Sequence, residues 1–427
     1  VFSNYKFEFN AVQDEFEFGI FSGIRDYNLK WEIQGPKRGN HSLNYGANII
    51  YHVFTPSNVT GKLGDTEINT GDIIRQYGVE TGWFISDQWT ISPRLSVDLG
   101  LRLSSFSHIG PFTRYQKNDQ KELLATINYA AGEHIQSYGG LEPRFNLRYL
   151  LDETSSLKAS YTENYQYVHL ASISAIALPT DVWIPSSDIV EPQFGQQLAM
   201  GYFKNFKDNT YETSFEVYYK NIEGLVEFKE GAQPGADVND NTDNNLTFGT
   251  GNSYGAELFI KKRLGKSTGW LGYTWSRTTR QFEDINDGKR FLATYDRTHD
   301  LSITFSHKLN KKWSIGSVFV FGTGKAITLP EQSYLVNGEL YVEYGERNSY
   351  RIPPYHRLDI SATFRPKSKK GLEQFWVFAV YNVYNRRNPY FIRFDTEGSL
   401  AEGAIRTSAK QVSLFPIIPS VTWNFKF

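Results

Sequence analysis

The last eight residues alternate without a fault: Val421, Trp423, Phe425 and Phe427 are large and apolar, while Ser420, Thr422, Asn424 and Lys426 between them are polar. A period of two sends successive side chains to opposite faces of an extended strand, so this segment has one oily face and one wet face. The same rhythm recurs along the chain. Leu95, Val97, Leu99, Leu101 and Leu103 alternate with Ser96, Asp98 and Arg102, and Leu301, Ile303 and Phe305 alternate with Ser302, Thr304 and Ser306. Leu358, Ile360, Ala362 and Phe364 oppose Arg357, Asp359, Ser361 and Thr363, and Tyr211, Thr213, Phe215, Val217 and Tyr219 oppose Glu212, Ser214, Glu216 and Lys220. A helix would scatter those charges around its surface. The sequence describes a large set of half-apolar strands.

Aromatic residues make up 16% of the 427, with 35 Gly, and the mean hydropathy is -0.45. That balance suits many short strands and turns better than two ordinary globular cores. Charged or amide residues break every apolar run before it reaches the roughly 18 to 20 residues a spanning helix needs. If the chain crosses a membrane it does so as a barrel, the other structure that satisfies its own backbone in lipid. The formal charge of -1, from 45 basic and 46 acidic residues, announces neither nucleic acid nor an anionic surface. Without cysteine there is no disulfide, thiol nucleophile or Cys-based metal site. The N-terminus, from Val1 to Phe9, has no basic stretch followed by an apolar one and starts inside a strand pattern, which leads us to expect a missing N-terminal part.

Connections of two lengths take turns along the chain. Tight turns are expected near 35–40, 86–88, 152–155, 207–209, 265–267, 310–312 and 366–371. Long polar stretches fall at 11–22, 57–72, 109–140, 166–193, 222–250, 279–295, 324–354 and 386–411. Short turns on one rim and long loops on the other describe an outer-membrane barrel, with about 16 strands for these connections. A soluble propeller or sandwich also alternates. It does not segregate its loops in this way, nor gather aromatics near strand ends as Trp83, Trp89, Trp270, Trp275, Trp313 and Trp423 suggest.

Particular segments add a resemblance. The aromatic terminus formed by Trp423, Phe425 and Phe427 resembles the assembly signal of Gram-negative outer-membrane barrels. Leu141-Glu142-Pro143-Arg144, Ser156-Leu157-Lys158-Ala159-Ser160-Tyr161 and Leu178-Pro179-Thr180-Asp181-Val182-Trp183 resemble the C-terminal barrel of TonB-dependent receptors of the group with a carboxypeptidase-like regulatory domain. So do Ser253-Tyr254-Gly255-Ala256-Glu257-Leu258, Tyr295-Asp296-Arg297-Thr298-His299-Asp300, Tyr355-His356-Arg357-Leu358-Asp359 and Asn382-Val383-Tyr384-Asn385-Arg386-Arg387-Asn388-Pro389, in that order. The resemblance covers essentially the whole chain. It implies that residues 1–427 are one outer-membrane barrel unit, the last 16 strands of about 22, with the plug and the first strands absent. It further implies import of an external nutrient, TonB as partner through the missing plug, a lipid bilayer around the wall, a surface lipoprotein on the long loops, and no nucleic acid and no cofactor. A self-contained diffusion porin, an outer-membrane hydrolase and an adhesion scaffold are the alternatives.

No catalytic or metal constellation is expected. The group Tyr295, Asp296, Arg297, His299 and Asp300 reads best as an arginine–carboxylate contact fixing a loop to a strand, and Glu142 with Arg144 as an interior ladder. Asp237 to Asp243 starts like a calcium loop but has Thr242 and Phe248 where Gly and Glu belong, and Gly322-Thr323-Gly324-Lys325 lacks the hydroxyl of a P-loop. For ligand contact the candidates are Trp183 and Asp181, in a stiff aromatic loop, and His169. Arg94, Asp98, Arg102, Arg357 and Asp359 are expected to line the lumen.

Overall fold

The computed structural model describes the chain except residues 14–15, 64–65, 69–74, 119–121, 172–181, 231, 233–239, 337–338, 368–372, 400–403 and 427; within 8–18, 20, 56–68, 333–342 and 395–407 it describes the backbone alone. Its main sheet has 18 strands, of which two are flaps of 3 and 2 residues. The remaining sixteen form the wall. They are β1 (Phe2–Gln13), β2 (Phe16–Gln34), β3 (His41–Leu63), β4 (Gln76–Thr90), β5 (Leu95–Ile109), β6 (His134–Asp152), β7 (Ser155–Gln166) and β8 (Gln193–Phe206). The second half comprises β9 (Tyr211–Phe228), β10 (Leu246–Lys262), β11 (Ser267–Phe282), β12 (His299–Lys308), β13 (Trp313–Gly322), β14 (Tyr355–Phe364), β15 (Glu373–Tyr381) and β16 (Ile418–Lys426). Each pairs antiparallel with the next in chain order, from β1 at one edge to β16 at the other.

Alternation sorts the two faces. On β5, Leu99, Leu101 and Leu103 are 46%, 43% and 54% exposed, while Ser104, Phe106 and His108 are buried on the other side. Cross-strand partners share a face, so Leu99 and Phe145, then Leu103 with Trp83 and Leu141, continue the oily belt onto the neighbouring strands. Inside, the polar set closes on itself. Arg102 bonds Glu80, and Arg357 pairs with Asp359 and donates to the Tyr381 hydroxyl. Arg144 lies 3.6 Å from Glu142, the interior ladder expected of that pair.

Several expectations need correction. Residues 86–88 lie within β4, and the turn falls at 91–94, where Pro93 has no N–H to give a ladder and the Ser92 hydroxyl accepts from the N–H groups of Arg94 and Leu95 at 3.3 and 3.1 Å. Arg94 therefore belongs to that turn, and Trp83 is a mid-strand residue, 62% exposed, instead of a strand-end one. Residues 11–13 and 16–22 continue the β1–β2 ladder, with 14–15 outside the described residues, and β3 runs on to Leu63. At 12 to 23 residues these first strands exceed the roughly 9 to 11 that would span a bilayer, so the wall extends well beyond such a span on the long-loop side. The turn at 207–209 is as expected: Lys207, Asp208 and Asn209 all take positive φ, of 50, 50 and 61°.

The long connections carry their own small sheets. Phe112–Lys117 pairs with Leu123–Tyr129, Val168–Ala171 with Val182–Pro185, Ala326–Ile327 with Tyr350–Arg351, Pro330–Val336 with Glu339–Tyr344, and Pro389–Ser399 with Ala404–Ser413. Leu99→Arg places a cation in the outward belt and should lower stability by about 2 to 4 kcal/mol at mid-bilayer depth. Urea unfolding in lipid vesicles reads this directly, and wild-type stability of the variant would reverse the assignment of the faces.

Candidate functional site

The mouth is built in two storeys on the inward face of β2 to β7. The lower is a ladder of charge. His52 Nδ1 meets Asp26 at 2.8 Å, its Nε2 lies 3.7 Å from Glu80, and the Ser104 hydroxyl donates to Glu142 at 2.6 Å. The Tyr167 hydroxyl sits 2.8 Å from Ser104 and carries the network up to an aromatic storey. There Phe54, Phe106 and Tyr167 form a buried cluster, flanked by Tyr138, Tyr165 and Trp183. The rings of Phe106 and Tyr167 stack at 5.6 Å.

The hairpin Val168–Ala171/Val182–Pro185 folds inward over this storey, and period two decides what each side chain does. Val182 and Ile184 enter a loop core with Ala171, Val190, Val226, Phe228 and Leu246. Trp183, between them, turns the other way, half-buried, with its ring edge-on to Tyr5 at 6.1 Å. His169 is fully buried, bonded to the Ser186 hydroxyl at 3.0 Å and to the Gln193 amide at 3.2 Å. Burial pushes its pKa down to about 4, so the ring is neutral and serves as an internal bolt, closed to an external ligand. Asp181 lies outside the described residues. The structure thus brings Trp183 to the mouth and keeps His169 behind it.

Three ionic clasps that sequence reasoning missed hold the long loops together. Arg114, 1% exposed, donates to Asp243 at 2.8 Å and to Asp188, joining three loops. Burial works against its charge, and the two aspartates more than restore it, so its pKa is raised. Asp243 also accepts from Ser187 at 2.9 Å, and Asn241 caps the Thr113 carbonyl and the Tyr115 N–H. Glu227 bridges Arg280 at 2.6 Å and Arg347 at 3.0 Å. Arg351 reaches Asp296 and the carbonyl of Gly324, while Asp296 accepts from the Thr278 N–H at 2.5 Å. The expected loop-to-strand contact in the 295–300 group therefore exists, but its strong member is Asp296 with Arg351; Arg297 pairs at 3.5 Å with half-exposed Asp300. Of the 237–243 segment, Asp240 is engaged by Asn244 and Lys117, and Asp243 by the clasp. Among the described residues no three His or carboxylate groups are placed to hold a metal.

An antiparallel meander with an oily belt, a polar interior and a loop-fastened mouth defines the wall of an outer-membrane-type barrel. The family model described as TonB dependent receptor-like, beta-barrel, matches residues 2–385, and the chain belongs to that family. The family consists of receptors and transporters of the Gram-negative outer membrane that work with TonB, and not of enzymes. No curated protein matches the sequence. Among solved structures the fold is shared with the copper transporter OprC (TM-score 0.61, 11% identity, 99% of this chain and 61% of that one). It is shared too with the FrpB iron transporter from Neisseria meningitidis (0.59, 13%, 100% and 63%) and the pyoverdine receptor FpvA from Pseudomonas aeruginosa PAO1 (0.55, 18%, 96% and 54%). The chain spans about half to three-fifths of the length of such relatives.

Arg114→Met leaves Asp243 buried without its cation and should cost about 3 to 5 kcal/mol. Hydrogen exchange across 112–117 and 186–190 should rise together, and a change confined to one loop would refute the clasp. For His169 the sign follows from its depressed pKa: the unfolded imidazole takes a proton near 6.5 and the folded one near 4. The hairpin should lose about 1.4 kcal/mol per pH unit as pH falls between those values, and His169→Gln should flatten that slope in exchange measurements at 168–171.

Proposed function

We propose that this chain supplies the wall and outer mouth of a TonB-dependent transporter in the outer membrane, one that binds an external nutrient and passes it to the periplasm with energy delivered by TonB. The family match across residues 2–385 carries the reading. The mouth supports it: ion clasps hold the loops in one arrangement, and a fixed aromatic surface can bind a ligand without the entropic cost of ordering loops. Trp183 and Tyr5 are the ligand-facing candidates, with Asp181 in the same segment. Proteins that share the fold include an iron transporter, a ferric citrate transporter, a ferric-catecholate import receptor, a pyoverdine receptor and a copper transporter, which favours a chelated metal as the nutrient class. On the last strand, Trp423 stacks on Trp376 at 5.7 Å and touches Phe425 at 4.6 Å, both outward-facing, and with Phe427 they are the residues to which we assign barrel assembly.

A barrel of this width conducts unless something fills it. The protein purified from its native membrane should have a mass above 49.0 kDa, co-sediment with the outer membrane and show no steady conductance in planar bilayers. A mass of 49.0 kDa with a stable open channel would replace this reading with the diffusion porin.

A further inference from the structure

The lower storey of the mouth holds more acids than guanidinium groups. Asp26, Glu80 and Glu142 are met by Arg102 and Arg144, and the ring that touches both Asp26 and Glu80 is His52. His52 is 3% exposed on the inward face of β3, with Nδ1 2.8 Å from Asp26 on β2 and Nε2 3.7 Å from Glu80 on β4. A neutral imidazole carries one N–H. Spent on Asp26, it leaves the Nε2 lone pair facing a carboxylate, whereas an imidazolium gives each acid a proton to face. His52 shares a row with Gly78 and His108, beyond Leu103 and the leucine belt, so the ring stands outside the spanning segment. Burial opposes its charge, and the contacts with Asp26 and Glu80 more than offset that, so its pKa is raised above the usual 6.5. His108, the other imidazole of the row, is pushed by burial down to about 4 and stays neutral.

Two routes carry the state of this ring to the hairpin above it. The first is aromatic. Phe54 stacks on His52 at 5.5 Å and Phe106 tilts against it at 6.2 Å, in the space that a Cβ at Gly78 would need. Phe106 stacks in turn on Tyr167, the residue before Val168, and Trp183 of the facing strand packs on the same cluster. The second route is polar. Glu80 takes Arg102 at 3.3 Å, Arg102 lies 3.9 Å from Glu142, and Glu142 holds the Ser104 hydroxyl that bonds Tyr167. The hairpin adds His169, which is bolted to Ser186 and Gln193. Loss of the His52 proton would leave Glu80 against a lone pair in a site with little water, and both routes start from that contact.

We infer that the proton on His52 latches the mouth: with it the Val168–Ala171/Val182–Pro185 hairpin is held on the wall, and without it the hairpin loosens as the medium turns alkaline. This regulation rests on the transport reading above only for its use, because the test reads hairpin mobility and not uptake. The released ring titrates near 6.5 and the held ring above it, so the latch is complete below 6.5 and is lost as pH rises through the raised value. These 427 residues contain no cysteine, so a nitroxide can be attached at Leu170→Cys, on the hairpin and 46% exposed. Electron paramagnetic resonance of the intact protein in detergent then gives the mobile fraction against pH. That fraction should rise by up to about tenfold per pH unit above 6.5 and then level off. His52→Gln should abolish the alkaline rise, Asp26→Asn should move it to lower pH, and His169→Gln should leave it in place. A wild-type profile that is flat above pH 6.5, or a rise that survives His52→Gln, would overturn the latch. If His52→Gln fails to fold, Asp26→Asn decides, and an unchanged midpoint there overturns it equally. A failure of transport with the alkaline rise intact would fall on the proposed function alone.

Discussion

In hydrocarbon an unpaired amide has no water to turn to, and that single penalty organises the molecule. Fifteen successive antiparallel ladders leave each wall strand from β2 to β15 paired on both sides. Once every backbone group is committed to a neighbour, side chains have only two directions available, and the period of two follows. The belt of Leu99, Leu101 and Leu103 and the charge ladder of Asp26, His52, Glu80, Arg102 and Glu142 are the two sides of that one constraint.

Above the membrane the constraint relaxes, and a different interaction takes over. Loops in water need not pair their backbones, yet these are held by ion pairs, buried on at least one side or half-buried, that join separate connections and strand ends: Arg114 with Asp188 and Asp243, Glu227 with two arginines, Asp296 with Arg351. Such contacts gain little over apolar packing, but losing one partner is costly, so they specify one arrangement more than they add stability. The mouth that results is set by charge pairing, whereas the wall is set by backbone pairing.

The architecture was legible because alternation is a local property, visible in any ten residues. The misplaced turn at 86–88 shows its limit. Ser86 faces the interior opposite Asn44 and Gly100, where polarity is ordinary in a wet lumen, so a polar run there does not signal a turn, while Ser92-Pro93 does. Trp183 was legible as a mouth residue because an aromatic between prolines stands out. His169 was legible only as a residue type, since nothing in its neighbours reveals that Ser186 and Gln193 enclose it. The clasps were invisible for a plain reason: Arg114 meets partners 74 and 129 residues away, and no spacing rule reaches that far.

That separation also sets an order of events. Arg114 lies in the connection between β5 and β6, and Asp243 in the one between β9 and β10. Until the wall between those connections has formed the two cannot meet, and each charge must wait in water. The outer mouth therefore takes its final shape only once the wall beneath it is in place.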